Sequence, residues 1–450
     1  MNSDKSIINQ LDIKSVQFIE HTKPKLLIYA HYYIPDVAST GQILKELAEG
    51  MTDIFDITVI CVVPSYLGKI TSQYKTQKYY IENINGVKII RIRVPEFSKA
   101  DKMSRVKNIL AYFFGAMSVT LKIDKIDCVF AISQPPILGG LIGVWGKWVK
   151  RAIYIYNIQD FNPEQIIAIN YIKNKILISA MMFFDKFSCR RSNLVITVGR
   201  DLVDTLEKRF TKNNVSNNKM PKVLLINNWV DERDIYPIDP GHPQISKFKM
   251  KYGLEDKFIF MYSGNIGHYY DLKNILKTIE KITPGTVTKN GKEVFFAFVG
   301  TGGMINILRK YKEEHHMDNV VFIPYQKKEE LVYSLNAADV HFVVNAKGIK
   351  GVSCPSKFYG CAASASPVLA VLEKGSEIRC IIEESKCGLC CEPEDYEHIE
   401  RNIRWFMERS QYELDVMGEN GHQYLLKYLT KEASLKKYKE AILSCLEEIN

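Results

Sequence analysis

Short apolar runs alternate with helical patterns along most of the chain, and this alternation predicts βαβ units that build parallel sheets covered on both faces. KLLIYA (25–30) is followed by a helical pattern over 40–52 and by ITVICVV (57–63). The series continues with CVFAIS (128–133), AIYIYNI (152–158), LVITV (194–198) and VLLIN (223–227). The segment NWVDERDIYPIDPGHPQ, beginning at Asn228, gathers Pro, Gly and acidic residues and reads as a linker. Beyond it the pattern restarts with FIFMYSG (258–264), VFFAFVG (294–300), VVFIPY (320–325), VHFVVN (340–345) and PVLAVL (367–372). From about Asp395 the chain turns helical, with IERNIRWFMERS and ASLKKYKEAILSCLEEI in helical apolar spacing. Two successive open α/β sheets place a ligand cleft between them, at the carboxyl ends of the strands. Chemistry is therefore expected in the strand-to-helix loops.

Length agrees with this division, since 450 residues exceed what one hydrophobic core usually supports. Hydrophobic residues at 46% and charged residues at 25% describe an ordinary globular chain without a disordered block. The net charge of +9 admits anionic partners such as phosphates or a lipid surface, and no nucleic-acid-reading motif accompanies it, so no nucleic acid is expected. The ten cysteines scatter through apolar runs, as reduced buried thiols do. Cys387, Cys390 and Cys391 form the one cluster, and no second pair or histidine spacing completes a zinc site. No metal and no cofactor are expected. The N-terminal MNSDKSIINQLDIKSVQ lacks the apolar centre of a secretory signal, and no run reaches the roughly 20 apolar residues of a membrane span. The expectation from these features is a cytoplasmic protein.

The most informative stretch is GVSCPSKFYGCAASASPVLAVLEKGSE (351–377). Pro355 and Ser356 precede a small-residue helix whose free N–H groups, with Lys357 beside them, would suit a diphosphate. The same residues also fit a plain helix start under a sheet. In YSGNIGHYY (262–270), Gly264, Asn265 and Gly267 follow a strand and form a turn whose backbone can approach a phosphate or sugar. Gly300 opens a similar turn, GTGG. Turn formation alone explains either one. Neither the GxGxxG dinucleotide fingerprint nor a P-loop occurs here, which argues against an NAD enzyme or an NTPase.

In the first half, HYYIPDVASTGQ (31–42) sets Asp36, Ser39, Thr40 and Gly41 between the first strand and its helix, facing the same cleft as candidates for acceptor binding, with Asp36 also a catalytic candidate, while Ser39 or Thr40 could equally cap that helix. NIQDFNPEQ (157–165) puts Asp160 and Glu164 just after a buried strand, where carboxylates can take hydrogen bonds from sugar hydroxyls or a proton from an acceptor.

Together these segments resemble the large retaining group of bacterial glycosyltransferases known as family 4, in the branch that makes O-antigen, capsule and exopolysaccharide. YYIPDVASTGQILKELAEGM, AISQPPILGGLIG, IQDFNPE, NNWVD, YSGNIG, VGTGG, PSKFYGCAASASPVLAV with GSEI, and CGLCCEP occur in family order over roughly 25–395. The resemblance implies the GT-B fold: two Rossmann-like domains facing across a cleft, the first (1–228) binding acceptor, the second (229–425) binding donor. It also implies that a final helix (426–450) returns to the N-terminal domain.

By the same resemblance Gly264, Asn265, Ser356 and Lys357 face a donor diphosphate, and Phe322, Ile323, Pro324 and Tyr325 hold the base through their backbone. The chain departs from the pattern where relatives carry two glutamates, since Val352 and Gly360 stand at those positions. Asn265 and Tyr270 replace an Arg and a Lys. Lys357 is then the clear cation left at the diphosphate, and Glu377 becomes the candidate for the ribose hydroxyls. Bond breaking leaves negative charge on the diphosphate, which a helix start and Lys357 could stabilise without metal. Retention needs no protein nucleophile if the departing phosphate takes the acceptor proton.

The uncharged stretch NILAYFFGAMSVTL (108–121) follows Lys102, Arg105 and Lys107 and precedes Lys122 and Lys125. It is too short to span a bilayer and suits a helix lying in the interface, although a core helix has the same composition. LGGLIGVWGKWVKR (138–151) and KILISAMMFFDKF (175–187) share the character. The expectation is a peripheral enzyme on the cytoplasmic face of the membrane, moving a sugar from a nucleotide diphosphate sugar (UDP favoured) to a lipid-linked or glycan acceptor. A nucleotide-sugar epimerase, a phosphorylase and a non-catalytic nucleotide-sugar binder are the alternatives.

Overall fold

The apolar runs become strands because their β-branched and aromatic residues bury on both faces of two sheets. A computed structural model describes residues 23–36, 39–66, 68–98, 101–168, 174–211 and 220–448. The N-terminal sheet contains β1 (Lys25–Tyr29), β2 (Asp56–Val62), β3 (Tyr79–Ile84), β4 (Val87–Ile92), β5 (Cys128–Ile132), β6 (Ile153–Ile158), β7 (Leu194–Thr197) and β8 (Val223–Leu225). Around it lie α1 (Ser39–Gly50), α2 (Lys102–Lys122), α3 (Leu138–Lys150), α4 (Glu164–Ala168), α5 (Lys175–Arg191) and α6 (Arg200–Thr211). The strand order is β3-β4-β2-β1-β5-β6-β7-β8, parallel except for β3.

The C-terminal sheet, of order β11-β10-β9-β12-β13-β14, is parallel throughout. Its strands are β9 (Lys257–Ser263), β10 (Glu293–Val299), β11 (Val320–Ile323), β12 (Val340–Val344), β13 (Val368–Val371) and β14 (Gly388–Cys391). Its helices are α7 (Pro243–Lys251), α8 (Leu272–Ile279), α9 (Ile305–Glu314), α10 (Lys328–Asn336), α11 (Lys357–Ala363), α12 (Glu377–Ser385), α13 (Tyr396–Met407) and α14 (Gln411–Tyr428). A last helix, α15 (Lys431–Glu447), leaves this domain.

The β3–β4 hairpin and β14 were not among the expected strands. Asn85 and Gly86, both at positive φ, make the tight hairpin turn, an Asn-Gly signal that flanking apolar residues would have supported. β3 reads YYIENI and lies at the sheet edge, where none of its residues is fully buried, so no continuous apolar run marks it.

The chain crosses between the domains twice, side by side. Val230 forms a β-bridge with Thr430, Lys431 Nζ donates to Asp231 at 2.9 Å, and Ser434 Oγ donates to the Asn227 carbonyl at 3.2 Å. Leu435, Tyr438, Ile442 and Cys445 of α15 then enter the same core as Leu26, Phe130 and Ile155. Tyr438 accepts from Asn157 Nδ2 at 2.9 Å, and its ring meets Phe130 and Trp229 edge-on.

The three apolar-cationic stretches separate in the fold. α3 buries six of its thirteen residues, Ile142 and Val144 among them, and exposes Trp148. α2 buries Tyr112, Ala116 and Val119 and exposes Met103, Val106, Leu110, Phe114 and Leu121. α5 exposes Ile176, Leu177, Phe183 and Phe184. Both flank α3. Among the described residues no helix is long and apolar enough to cross a membrane.

Candidate functional site

In each sheet the chain reverses its direction of winding beside the first strand, and the loops diverge there to leave a crevice. In the N-terminal sheet this point lies between β1 and β5, and in the C-terminal sheet between β9 and β12.

The C-terminal crevice is floored by two interlocked turns. Gly264 N donates to the Val299 carbonyl, Ile266 N to that of Thr301, and Met304 N to that of Ile266. Gly264 has φ +145° and Gly300 φ +135°, conformations that side chains rarely adopt. A Cβ at Gly300 would lie 2.0 Å from the Gly264 carbonyl oxygen, so the turns pack backbone to backbone. A Cβ at Gly264 would lie 2.6 Å from Cε of Lys357, which places that lysine directly over the turn. The expected turn residues Gly264, Asn265, Gly267 and Gly300 therefore form one unit with Lys357.

Lys357 is the first residue of the short helix α11. Its ammonium lies 3.6 Å from the Tyr270 ring centroid and 5.3 Å from that of Tyr262. Burial pushes its pKa down to about 7, with Cys361 opposing weakly. Aromatic faces attract a cation without neutralising it, so the charged form of Lys357 stands over the turn in a setting suited to an anion. Ser356 is exposed at the N-cap position and its side chain makes no capping bond, while Pro355 is buried beside it.

Asp160 faces this crevice from the other domain. It forms a β-bridge with Ser353, and Phe161 N donates to the Val352 carbonyl at 2.8 Å. Burial raises the Asp160 carboxyl above the usual range, with a hydrogen bond from Ser353 pulling it back. Its charge reaches Tyr270, the ring that carries Lys357. A carboxylate, an aromatic ring and a lysine thus stand in sequence across the domain junction.

Other expected residues have structural engagements. Glu164 is gripped by Arg209, whose Nε donates to Oε1 at 2.7 Å, and the same guanidinium pairs with Asp185. In this structure both Glu164 oxygens are engaged by the buried Arg209 guanidinium, a bidentate ion pair. Glu377 departs from the ribose-binding expectation in the same way: Oε2 accepts from Arg200 N at 2.8 Å and Oε1 from Asn227 Nδ2 at 2.9 Å. Asp36 accepts from Ser65 N and Tyr66 N, both at 3.1 Å, and so ties the β1 loop to the β2 loop. Thr40 donates to Gln134 at 3.0 Å. Gly41 packs against the Tyr32 carbonyl, and the side chain of Ser39 lies outside the described residues.

In the proposed base segment, Phe322 stacks on Phe298 and Ile323 is in the core. The Ile323 carbonyl accepts from Gly300 N and the Pro324 carbonyl from Gln326, while Tyr325 is exposed. All ten cysteines are free thiols.

The N-terminal crevice opens into a cavity of about 350 Å³ bounded by His31, Arg105, Asn108, Gln134 and Asp160. Of these, Asp160 was singled out from sequence as a site residue and Arg105 as a cation flanking the apolar stretch 108–121. The others sit on separate loops and on α2, and no local pattern marks them.

Comparison with known proteins agrees with this architecture. Residues 244–424 match the family described as Glycosyl transferases group 1. WbjE of Pseudomonas aeruginosa, named as a glycosyltransferase, is 25% identical over 368 residues, covering 79% of this chain and 84% of that protein. WcaI of Escherichia coli K12, named as a colanic acid biosynthesis glycosyl transferase, is 22% identical and covers 84% of this chain and 91% of its own length. Among solved structures, Anabaena HepE in complex with UDP and glucose superposes with a TM-score of 0.65 at 12% identity, over 94% of this chain and all of that one. The chain is a glycosyltransferase of GT-B fold whose C-terminal half is a glycosyl transferases group 1 domain.

Proposed function

We propose that the chain transfers a sugar from a nucleotide diphosphate sugar, with UDP the favoured carrier, to a membrane-associated, lipid-linked glycan, with retention of configuration, in surface polysaccharide biosynthesis. The observation that carries the donor half is Lys357, a cation held over the Gly264 turn by aromatic faces. A diphosphate lying on the interlocked turns would meet its charge, and the fold neighbour HepE is described with UDP and glucose. WcaI, by its name, belongs to colanic acid biosynthesis, which favours a polysaccharide pathway here.

Chemically, the glycosidic bond breaks as negative charge builds on the β-phosphate, and a preorganised cation lowers that barrier. Asp160, across the junction, would hold a hydroxyl of the reacting sugars. The acceptor hydroxyl adds to the anomeric carbon on the face the phosphate leaves, and its proton passes to the departing phosphate oxygen, so no charge is left unbalanced.

Peripheral attachment rests on α2 and α5. Phe114 is 62% exposed and Ile176 82% exposed, which water disfavours and a lipid interface accepts. Lysines and arginines at the ends of both helices would reach anionic headgroups.

The test is a donor screen with purified protein and lipid vesicles, reading nucleoside diphosphate release with and without a polyprenyl-diphosphate sugar. Transfer from one donor is expected, and Lys357→Ala should reduce it by about 100-fold or more with the fold intact. Silence with every donor sinks the proposal.

A further inference from the structure

Arg209 lies in the last turn of α6, and its side chain is 3% exposed. The segment that follows Asp160 wraps around its guanidinium. Nε donates to Glu164 Oε1 at 2.7 Å, while Nη2 donates to Glu164 Oε2 and to the Asn162 carbonyl, the latter at 2.9 Å. The guanidinium carbon stands 4.2 Å from the centroid of the Phe161 ring. Nη1 turns the other way, to Asp185 of α5, whose second oxygen accepts from the Tyr156 hydroxyl of β6 at 2.7 Å. One buried side chain thus fixes Phe161, Asn162 and Glu164 against α5, α6 and β6 together.

An ion cluster is a weak way to stabilise a core. Removing the charges from water offsets much of their attraction, and apolar residues of the same volume often stabilise as well or better. What the guanidinium adds is direction, because its N–H groups leave a rigid plane at fixed angles and admit each partner in one place.

Asp160 directly precedes the held segment. Its neighbour Phe161 donates N–H to the Val352 carbonyl at 2.8 Å, Asp160 itself bridges to Ser353, and Lys357 opens α11 just beyond. On the other side the segment runs into α4, which is five residues long and has no buried residue, so that helix gives it little anchorage. A shift of the segment would therefore move the Asp160 carboxylate relative to Lys357.

Resting on the transferase reading above, we propose that Arg209 is a positioning residue for the transfer reaction: it touches neither sugar nor phosphate, and it holds Phe161, Asn162 and Glu164 so that Asp160 meets the reacting sugars in one orientation. The expected signature is a loss of rate with donor binding kept, because Lys357 and the turns of Gly264 and Gly300 belong to the other domain.

Steady-state kinetics of the full-length protein, with thermal melting of each variant, test this. Arg209→Lys keeps the charge and loses the planar contacts, and should lower kcat by about ten- to 100-fold with donor KM within about two-fold of wild type. Arg209→Met combined with Asp185→Asn removes one charge of each sign and leaves Glu164, 21% exposed, within reach of water. This double variant should melt close to wild type and show the same loss of kcat. Glu164→Gln keeps an acceptor for the guanidinium and should lose less rate than either. Amide hydrogen exchange reads the segment without turnover. Gln165 N and Ile167 N, bonded to the Phe161 and Pro163 carbonyls, should exchange about ten-fold faster in both Arg209 variants, while residues 258–264 keep their wild-type exchange.

Wild-type kcat in the folded double variant, a raised donor KM with kcat kept, or unchanged exchange over 161–168 overturns the positioning role. A loss for Glu164→Gln as large as that for Arg209→Lys makes the carboxylate itself the acting group and overturns it as well. If exchange quickens as expected while wild type transfers from no donor, Arg209 holds its segment but the transferase reading fails, and the role in transfer falls with it.

Discussion

Asp201 and Glu377, one from each domain, cap each other's helices. Asp201, in the first turn of α6, accepts from Glu377 N at 3.3 Å and from Gly351 N at 2.7 Å. Glu377, the first residue of α12, accepts from Arg200 N at 2.8 Å. Two positive helix ends thus meet across the junction, and each receives the other's carboxylate. Arg200 adds an ion pair to Glu377 at 3.1 Å and another to Glu384.

Removing one carboxylate from this exchange should loosen the junction. Glu377→Ala leaves Arg200 N and Asn227 without their partner, at a cost of about 1–3 kcal/mol in urea unfolding. Scattering should report a larger radius of gyration. A raised donor KM with unchanged stability and size would instead return Glu377 to the ribose.

Lys357 should impose a pH limit on donor use. With its free pKa pushed down to about 7 by burial, the charged form is lost as pH rises through that value. A bound diphosphate favours the charged form and raises the pKa, so kcat/KM for donor should fall about ten-fold per unit above roughly pH 7. Lys357→Arg, always charged, should flatten the profile. A level wild-type profile between about pH 6 and 9 would remove the charge role.

Asp231 ties the two crossing strands. Arg233 foremost, then Lys431, hold its carboxyl far below the usual range, against a smaller opposing effect of burial. A depressed carboxyl contributes stability that is fully present above its unfolded pKa of about 3.9 and lost as pH falls toward the folded value. Asp231→Asn should cost about 1 kcal/mol at neutral pH, a figure that allows for solvent screening of the exposed Arg233. The gap from wild type should narrow steadily below about pH 4 in urea titrations.

Charging the apolar face should detach the protein from lipid without unfolding it. Phe114→Glu and Ile176→Glu replace exposed side chains, so melting should shift little. Flotation with anionic vesicles should fall about ten-fold for each, as expected when a side chain's burial worth about 1.5 kcal/mol is lost. Unchanged flotation would mark the face as unrelated to membrane.

Much of the site's outline was visible before folding. Gly264 and Gly300 follow buried strands, and a glycine there foretells a turn near a ligand crevice. Lys357 was marked by its small-residue neighbours. Glu164 and Glu377 show the limit, because the guanidinium of Arg209 lies 45 residues from the first and the amide of Arg200 lies 177 from the second. A carboxylate's partner at such separations depends on how the sheets stack, which local spacing does not encode. The β3–β4 hairpin was overlooked for a different reason, since an edge strand buries too little to write an apolar run.

The sequence alone determined the two α/β units, the linker between them and the turns that bear chemistry, because burial periodicity and backbone preference act over a few residues. Only the tertiary structure decided which carboxylates are spent on arginines and helix ends and which one, Asp160, remains at the junction. It also assembled the cavity of His31 and Arg105 from segments 74 residues apart in number, 31 and 105, that meet because α2 packs on the sheet face at β1, where Tyr29 and Thr120 share a hydrogen bond of 2.6 Å. Side-chain meetings of that kind are properties of packing, and packing is settled by the whole chain at once.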